Sequence, residues 1–149
     1  MPLQIHDDTD RTLITQLQRN SRISMSRLAD AVGMSAPSVT ERVRRLEAEG
    51  VITAFTIEFD LPAIGYPLEA IVRIKPRPGA LHLVEDMIVN QIRFTACDKV
   101  TGDDCFIARL SLRSIDELDE LLDPFHEKAE TNTAIVKSSP VRGRMPPMV

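Results

Sequence analysis

Apolar residues in the first third of the chain recur every three or four positions, which is the spacing of amphipathic helices. Leu13 and Leu17 follow a group of acids that suits a helix amino end, so the pattern predicts a helix over 7–20. A second helix is predicted from Ser24, which suits an N-cap, to Gly33, which can supply a left-handed stop.

A third helix is predicted from its N-cap at Ser35 to Gly50. Apolar residues at i, i+4 and i+7 form one face and polar residues at the same spacing form another: Val39, Val43 and Leu46 against Ser38, Arg42 and Arg45. Two helices joined through a glycine turn and followed by a Ser-capped, arginine-bearing helix predict a helix-turn-helix. Apolar and polar residues then alternate from Val51 to Ile57, which predicts a strand available as a wing.

The segment from Leu61 to Pro67 contains two prolines and a glycine, so neither a helix nor a central strand is expected to pass through it. We therefore predict a winged helix-turn-helix DNA-binding domain at 1–55, a linker strand or hinge at 56–65, and a second domain at 66–149.

The periodicity beyond the linker predicts strands and helices in the order βαββαβ. The predicted elements are a strand at 68–75, a helix at 80–91, strands at 92–101 and 105–112, a helix after the capping box Ser114–Glu117, and a strand at 133–138. This order is typical of a ferredoxin-like sandwich, in which both helices cover one face of an antiparallel sheet. The predicted fold class is α+β, an N-terminal winged helix-turn-helix followed by a ferredoxin-like βαββαβ domain.

The predicted hairpin turns at Gly102-Asp103, and a two-residue turn there places Cys97 opposite Ala108. Cys105 then lies about 10 Å from Cys97 along the ladder, which is beyond disulfide reach. Cys105 is best explained as a small structural residue, and a thiol that senses an oxidant or a sulfur-containing ligand is the alternative.

Charge is distributed unevenly along the chain. The whole chain has 22 acids, 18 lysines and arginines, and a formal net charge of −4. The first 55 residues have arginines and acids in equal number and no lysine, so a DNA contact is expected in that part.

Several other function classes are not supported. Two cysteines and three histidines match no zinc spacing, and the chain has no phosphate-loop, dinucleotide or nucleophile-elbow motif. We therefore expect no metal, no cofactor and no enzyme activity. No apolar run approaches the roughly 20 residues that cross a bilayer, and the early acids do not suit a secretory signal, so a cytoplasmic location without membrane contact is expected.

Small residues at the amino end of the third helix allow a close approach to the major groove, and the arginines beyond them can meet guanine edges or phosphates. The predicted DNA-binding residues are Arg22, Arg27, Ser35, Ala36, Ser38, Thr40, Arg42, Arg44 and Arg45. The alternative is a solvated helix whose arginines balance Glu41, Glu47 and Glu49. The combination of glycine turn, core stripe and wing favours binding to double-stranded DNA.

Several stretches of the first domain resemble the winged helix-turn-helix of Lrp/AsnC (feast/famine) regulators. They are Arg22-Ile23-Ser24 with Leu28-Ala29, Val32-Gly33-Met34-Ser35, and the run from Arg42 to Ile52. After the linker, Val100 to Asp104 and Thr131 to Val136 are similar to the effector-sensing domain of that family. The resemblance implies a bacterial or archaeal transcriptional regulator whose ferredoxin-like domains dimerise, often into octamers, and bind amino acids between dimers.

The resemblance also implies an amino-acid effector site at the hairpin turn and the last strand. Its predicted residues are Thr101, Gly102, Asp103, Asp104, Thr131 and Thr133. Gly102 admits a close backbone approach, and the acids can accept hydrogen bonds from an α-ammonium group. The residues alone indicate only a hairpin turn. The family loop has a second acid where this chain has Cys105, so the effector's identity stays open.

Ile71 and Ile107 fall on the sheet face that the predicted helices leave open, which favours self-association there. We expect a sequence-specific DNA-binding transcriptional regulator, a homodimer or octamer, whose assembly or DNA affinity responds to a small amino acid. Two alternatives stay open. One is a ferredoxin-like ligand-binding domain with a protein-binding winged helix, and the other is an effector-independent architectural DNA-binding protein.

Overall fold

The computed structural model describes residues 5–148. The chain divides into two compact units, Met1–Glu58 with Met145–Val149, and Phe59–Arg144. The division after Glu58 lies inside the predicted linker at 56–65.

Three helices form the first unit, and each follows a capping side chain. Asp7, Ser24 and Ser35 each accept a hydrogen bond from a backbone N–H in the first turn of the helix that follows. Gly33 ends the second helix with φ +65°, a left-handed conformation that permits the tight turn predicted there. The helices are α1 (Asp8–Arg19), α2 (Met25–Val32) and α3 (Ala36–Ala48).

The apolar stripes of the three helices meet in one core. The buried residues are Leu13 and Leu17 from α1, Leu28 and Ala29 from α2, and Val39 and Val43 from α3. Because the predicted stripe of α3 packs inward, its polar stripe is turned away from the core. The helix-turn-helix is confirmed.

The predicted wing strand at Val51–Ile57 is absent from the single chain, since residues 53–60 form neither strand nor helix. A strand requires a neighbour that completes its hydrogen-bond ladder, and no part of the chain between residues 5 and 148 supplies one. Phe55, Ile57 and Phe59 are consequently 47%, 70% and 58% exposed.

The second unit is a four-stranded antiparallel sheet with two helices. Neighbouring strands follow the order β2-β3-β1-β4. The chain order confirms the predicted βαββαβ arrangement. The elements are β1 (Leu68–Pro76), α4 (Leu81–Asn90), β2 (Phe94–Lys99), β3 (Phe106–Leu112), α5 (Glu117–His126) and β4 (Ala129–Ile135), preceded by a 3-10 turn at Pro62–Ile64.

One face of this sheet packs against both helices, as predicted. Its buried residues include Ala70, Val72 and Ile74 of β1, Phe106, Ala108, Leu110 and Leu112 of β3, Val84 and Ile88 of α4, and Leu122 and Phe125 of α5. The intervening positions of β1 and β3 face the other way, so Ile71, Arg73, Ile107 and Arg109 lie on the helix-free face.

The predicted hairpin register is confirmed, because Cys97 pairs with Ala108. Both cysteines are free. The last strand begins at Ala129, four residues before its predicted start, because the long strand β1 pairs with it from Pro76 back to Ala70.

The capping box predicted at Ser114–Glu117 is wrong in part, since α5 begins at Glu117 and no side chain of the described residues caps it. The Glu117 carboxylate does reach back, but it accepts from the backbone N–H of Arg113 over 2.8 Å. It also accepts from the guanidinium of Arg93. These bonds, with that from Arg93 the largest influence, lower the pKa of Glu117 to about 2.

Candidate nucleic-acid interface and effector site

The small polar residues at the amino end of α3 are held by local hydrogen bonds. The Ser35 and Ser38 hydroxyl oxygens lie 2.7 Å apart, and the Ser38 N–H donates to the Ser35 hydroxyl. The Thr40 hydroxyl donates to the carbonyl of Ala36 over 2.8 Å. These four residues therefore shape the amino end of α3, and Ser35 and Ser38 remain exposed at the surface.

Arg42 and Arg45, which the sequence places on the polar face of α3, make ion pairs with the start of α1. An Arg42 guanidinium nitrogen lies 2.8 Å from an Asp7 carboxylate oxygen and 2.9 Å from one of Asp10. Arg45 donates to the other Asp10 oxygen over 2.7 Å. We call these four residues the α1–α3 ion cluster.

The α1–α3 ion cluster is anchored in the protein interior, because Asp10 is completely buried. The Asp10 carboxylate also accepts from the backbone N–H of His6. The pKa of Asp7 is lowered, first by the backbone N–H of Asp10 and then by Arg42, and both carboxylates raise the pKa of Arg42. Both arginines are therefore fixed in position and their charges are largely compensated.

Three predicted DNA-binding arginines have a different environment. Arg22, Arg27 and Arg44 are exposed, and their guanidinium groups form no hydrogen bond or ion pair with any described residue. They are free to meet phosphates or base edges. A shallow groove lies along the surface of α3, lined by Met34, Pro37, Ser38, Glu41, Arg42 and Arg45.

The predicted effector loop joins β2 to β3. Gly102 has φ +114°, and the Val100 N–H donates to the Cys105 carbonyl over 2.7 Å to close the loop. Asp104 turns toward the helix-free face of the sheet, where one carboxylate oxygen lies 4.0 Å from Nε of Arg73. A carboxylate and a guanidinium at this spacing can meet the ammonium and carboxylate groups of a free amino acid.

Thr131 and Thr133, the other predicted effector residues, are not brought beside this pair. They oppose Ile74 and Val72, so they lie on the helix-covered face, whereas Arg73 opposes Asn132 on the helix-free face. Strand β1 also separates β3 from β4, which places the two threonines about 10 Å across the sheet from the loop that holds Asp104.

Sequence reasoning did not single out two residues of these sites, Asp10 and Arg73. Asp10 stands among acids that suit any helix start, and only its spacing of three from Asp7 hints at a common target. Alternation along the strand puts Arg73 on the same face as Ile71, but nothing local indicates that the hairpin turn lies beside it.

Between residues 5 and 148, no three His, Cys, Asp or Glu side chains are grouped as a metal site would require. No helix in the same range is long and apolar enough to span a bilayer.

Comparison with known proteins agrees with both units. Residues 6–53 match a family model for a winged helix-turn-helix DNA-binding domain, and residues 69–146 match the Lrp/AsnC ligand binding domain. The transcriptional regulator LrpC of Bacillus subtilis is 29% identical over 132 residues, which cover 89% of this chain and 92% of the relative. The regulator LrpA of Mycobacterium tuberculosis is 30% identical over 135 residues, 85% of each chain.

Solved structures give the same result. The structure of B. subtilis LrpC superposes with a TM-score of 0.85 at 28% identity and covers 97% of this chain and 100% of that one. A feast or famine regulatory protein from M. tuberculosis, complexed with L-methionine, superposes with a TM-score of 0.86 at 27% identity and covers 94% and 97%. These matches extend over both units, so the chain belongs to the Lrp/AsnC family of DNA-binding transcriptional regulators with a ligand-binding domain, and it is not an enzyme.

Proposed function

We propose that the first domain binds specific DNA sites and that the second assembles copies of the chain and binds a small amino acid, which changes assembly or DNA affinity. The observation that carries this proposal is the helix-turn-helix with the polar face of α3 open to solvent. We retain 1–55 as the DNA-binding domain and 66–149 as the effector and assembly domain, joined by 56–65.

DNA contact is assigned to residues with distinct tasks. The exposed guanidinium groups of Arg22, Arg27 and Arg44 contact phosphates or base edges. The narrow amino end of α3 enters the major groove and consists of Ser35, Ala36, Ser38 and Thr40. Arg42 and Arg45 hold α3 against α1, and their remaining N–H groups can donate to the DNA.

Self-association is supported by two unpaired surfaces. Ile71 and Ile107 lie beside charged residues on the helix-free face of the sheet. Phe55 and Ile57 lie in a segment that has the alternation of a strand but no pairing strand among residues 5–148. A second copy can cover both surfaces by two-fold symmetry, which gives a homodimer, and dimers can then associate into octamers.

A small amino acid is proposed as the effector because the related M. tuberculosis protein binds L-methionine. Thr101, Gly102, Asp103 and Asp104 would meet its ammonium group, with Arg73 available for its carboxylate. Thr131 and Thr133 lie too far away within one chain, so they complete the site only if they come from a second copy.

The DNA-binding proposal is tested by binding to its own promoter fragment over a range of salt concentrations. Binding should weaken steeply with salt, and Arg44→Ala should weaken it and reduce the log–log slope by about 1, whereas the exposed Arg19→Ala serves as the matched control. A protein-binding winged helix would produce no such dependence.

The effector proposal is tested by light-scattering mass and promoter affinity with each of the 20 amino acids. A shift with one or a few of them supports it, and Asp104→Asn should abolish that shift while the exposed Asp123→Asn on α5 preserves it. DNA binding without any shift would indicate the effector-independent architectural alternative.

A further inference from the structure

The centre of the exposed face of α3 has one acidic side chain. At about 100° per residue, the core residues Val39, Val43 and Leu46 define the inward direction, and Glu41 lies almost opposite them. Glu41 also lines the shallow groove along the helix. Arg42 lies on the flank, where it reaches toward α1.

Glu41 has no partner among the described residues, in hydrogen bonds or in ion pairs. Two helical neighbours lie within pairing reach, Arg44 three residues on and Arg45 four residues on. The Arg44 guanidinium forms no ion pair with a described residue. Arg45 instead donates to the buried carboxylate of Asp10. The α1–α3 ion cluster therefore leaves a free carboxylate at the middle of the surface that faces the DNA.

A free carboxylate in the major groove is repelled by the phosphates, so it must find a hydrogen-bond donor there to be tolerated. Cytosine offers its N4 amino group without an acceptor on the same edge. Adenine places its N7 acceptor beside its N6 amino group, and guanine and thymine present acceptors.

We infer that Glu41 is a specificity-determining residue that accepts a hydrogen bond from N4 of one cytosine in each half-site. This inference rests on the proposed DNA-binding function and adds the base that α3 recognises. The carboxylate contributes discrimination rather than affinity, because its charge weakens binding to every sequence that lacks the cytosine.

The test is selection of binding sites by the full chain from a pool of random duplexes, followed by affinity measurement on single-base variants of the selected site. The variants are Glu41→Ala and Glu41→Gln. Glu47→Ala and Glu47→Gln are the matched controls, because Glu47 is an exposed acid on the same helix about 120° away. Neither side chain forms a hydrogen bond or an ion pair with a described residue and both are exposed, so all four variants should have the melting temperature of the wild type.

The wild type and the Glu47 variants should select a cytosine at one fixed position and lose affinity roughly 5- to 150-fold when it is replaced. Glu41→Ala should lose that preference, and Glu41→Gln should shift it toward adenine, whose N6 and N7 a glutamine can meet together. If both Glu41 variants keep the wild-type consensus, the inference is overturned. If the wild type selects no sequence at all, the proposed DNA-binding function fails with it.

Discussion

Replacing Asp10 with asparagine removes the charge at the centre of the α1–α3 ion cluster with almost no change in shape. The Asp10 carboxylate accepts from Arg42 over 2.9 Å and from Arg45 over 2.7 Å, one oxygen for each. In Asp10→Asn one of these oxygens becomes an NH₂ group, so a donor faces a guanidinium donor. The remaining oxygen cannot serve both arginines in the same geometry.

The cost follows from the burial of the three side chains. Breaking a buried ion pair by removing one partner costs about 3–5 kcal/mol. Asp10 has no exposed surface, but the Arg42 and Arg45 side chains are 24% and 38% exposed and can recover water, so we expect about 2–3 kcal/mol. For a unit of this size such a loss lowers the melting temperature by roughly 10–20 °C.

The assay is thermal unfolding of the full chain, followed by NMR signals of the backbone amides in α1, α2 and α3, which report on the first unit separately from the helices α4 and α5 of the second. Asp8→Asn is the control, because Asp8 is fully exposed and its nearest cation, Arg11, is 3.7 Å away. It should change the unfolding free energy by less than about 0.5 kcal/mol. Equal melting temperatures for the Asp10 and Asp8 variants would refute the structural role of the cluster.

Three further changes test other parts of the structure. Cys105 has φ +61°, so Cys105→Val forces a β-branched side chain into the left-handed region and should lower the urea-derived unfolding free energy by about 1–3 kcal/mol. Cys105→Asn should alter that free energy by less than about 1 kcal/mol, because asparagine tolerates this conformation. Equal losses in the two variants would argue against backbone strain. Because the pKa of Glu117 is lowered to about 2 from 4.5, its stabilisation is present above pH 4.5 and lost as the pH falls through 2. Melting temperatures of wild type and Glu117→Gln should therefore differ near neutral pH and converge toward pH 2, and a constant difference would contradict this. Leu110 is completely buried and Leu83 is half exposed. In chemical denaturation, Leu110→Ala should therefore lower the unfolding free energy by about 2–5 kcal/mol and Leu83→Ala by under about 1 kcal/mol. Similar losses would contradict the assigned core.

Local chemistry accounts for the parts of the fold that could be predicted. Ser24, Ser35 and Gly33 act on the backbone within one turn of their own position, so their effects can be read from the residues themselves. The alternation in β1 and β3 likewise requires only a covered and an open face. The register of the β2–β3 hairpin could be predicted from the sequence because a short turn fixes which residues pair on either side of it.

Contacts between distant segments account for what could not be predicted. Arg42 and Arg45 have the spacing of a DNA-binding face, but their partners lie on α1, and no local rule selects Asp10 among several acids for that position. The wing shows a related problem, because alternation indicates that residues 51–57 can form a strand without indicating whether the partner belongs to the same chain. The effector loop was found only through the family, since glycine and aspartate are ordinary turn residues.

The distribution of paired arginines suggests why assembly should control DNA binding in this chain. Of the arginines in the first 55 residues, Arg42 and Arg45 are compensated in the α1–α3 ion cluster and Arg11 lies beside Asp8. Of the predicted DNA-binding arginines, Arg22, Arg27 and Arg44 remain, so one copy can release about three counterions through them, which gives a log–log salt slope near −3. A pair of first domains bound to adjacent half-sites doubles that number and joins two weak contacts into one binding event. An effector that changes how copies assemble therefore acts on most of the available DNA affinity without touching α3.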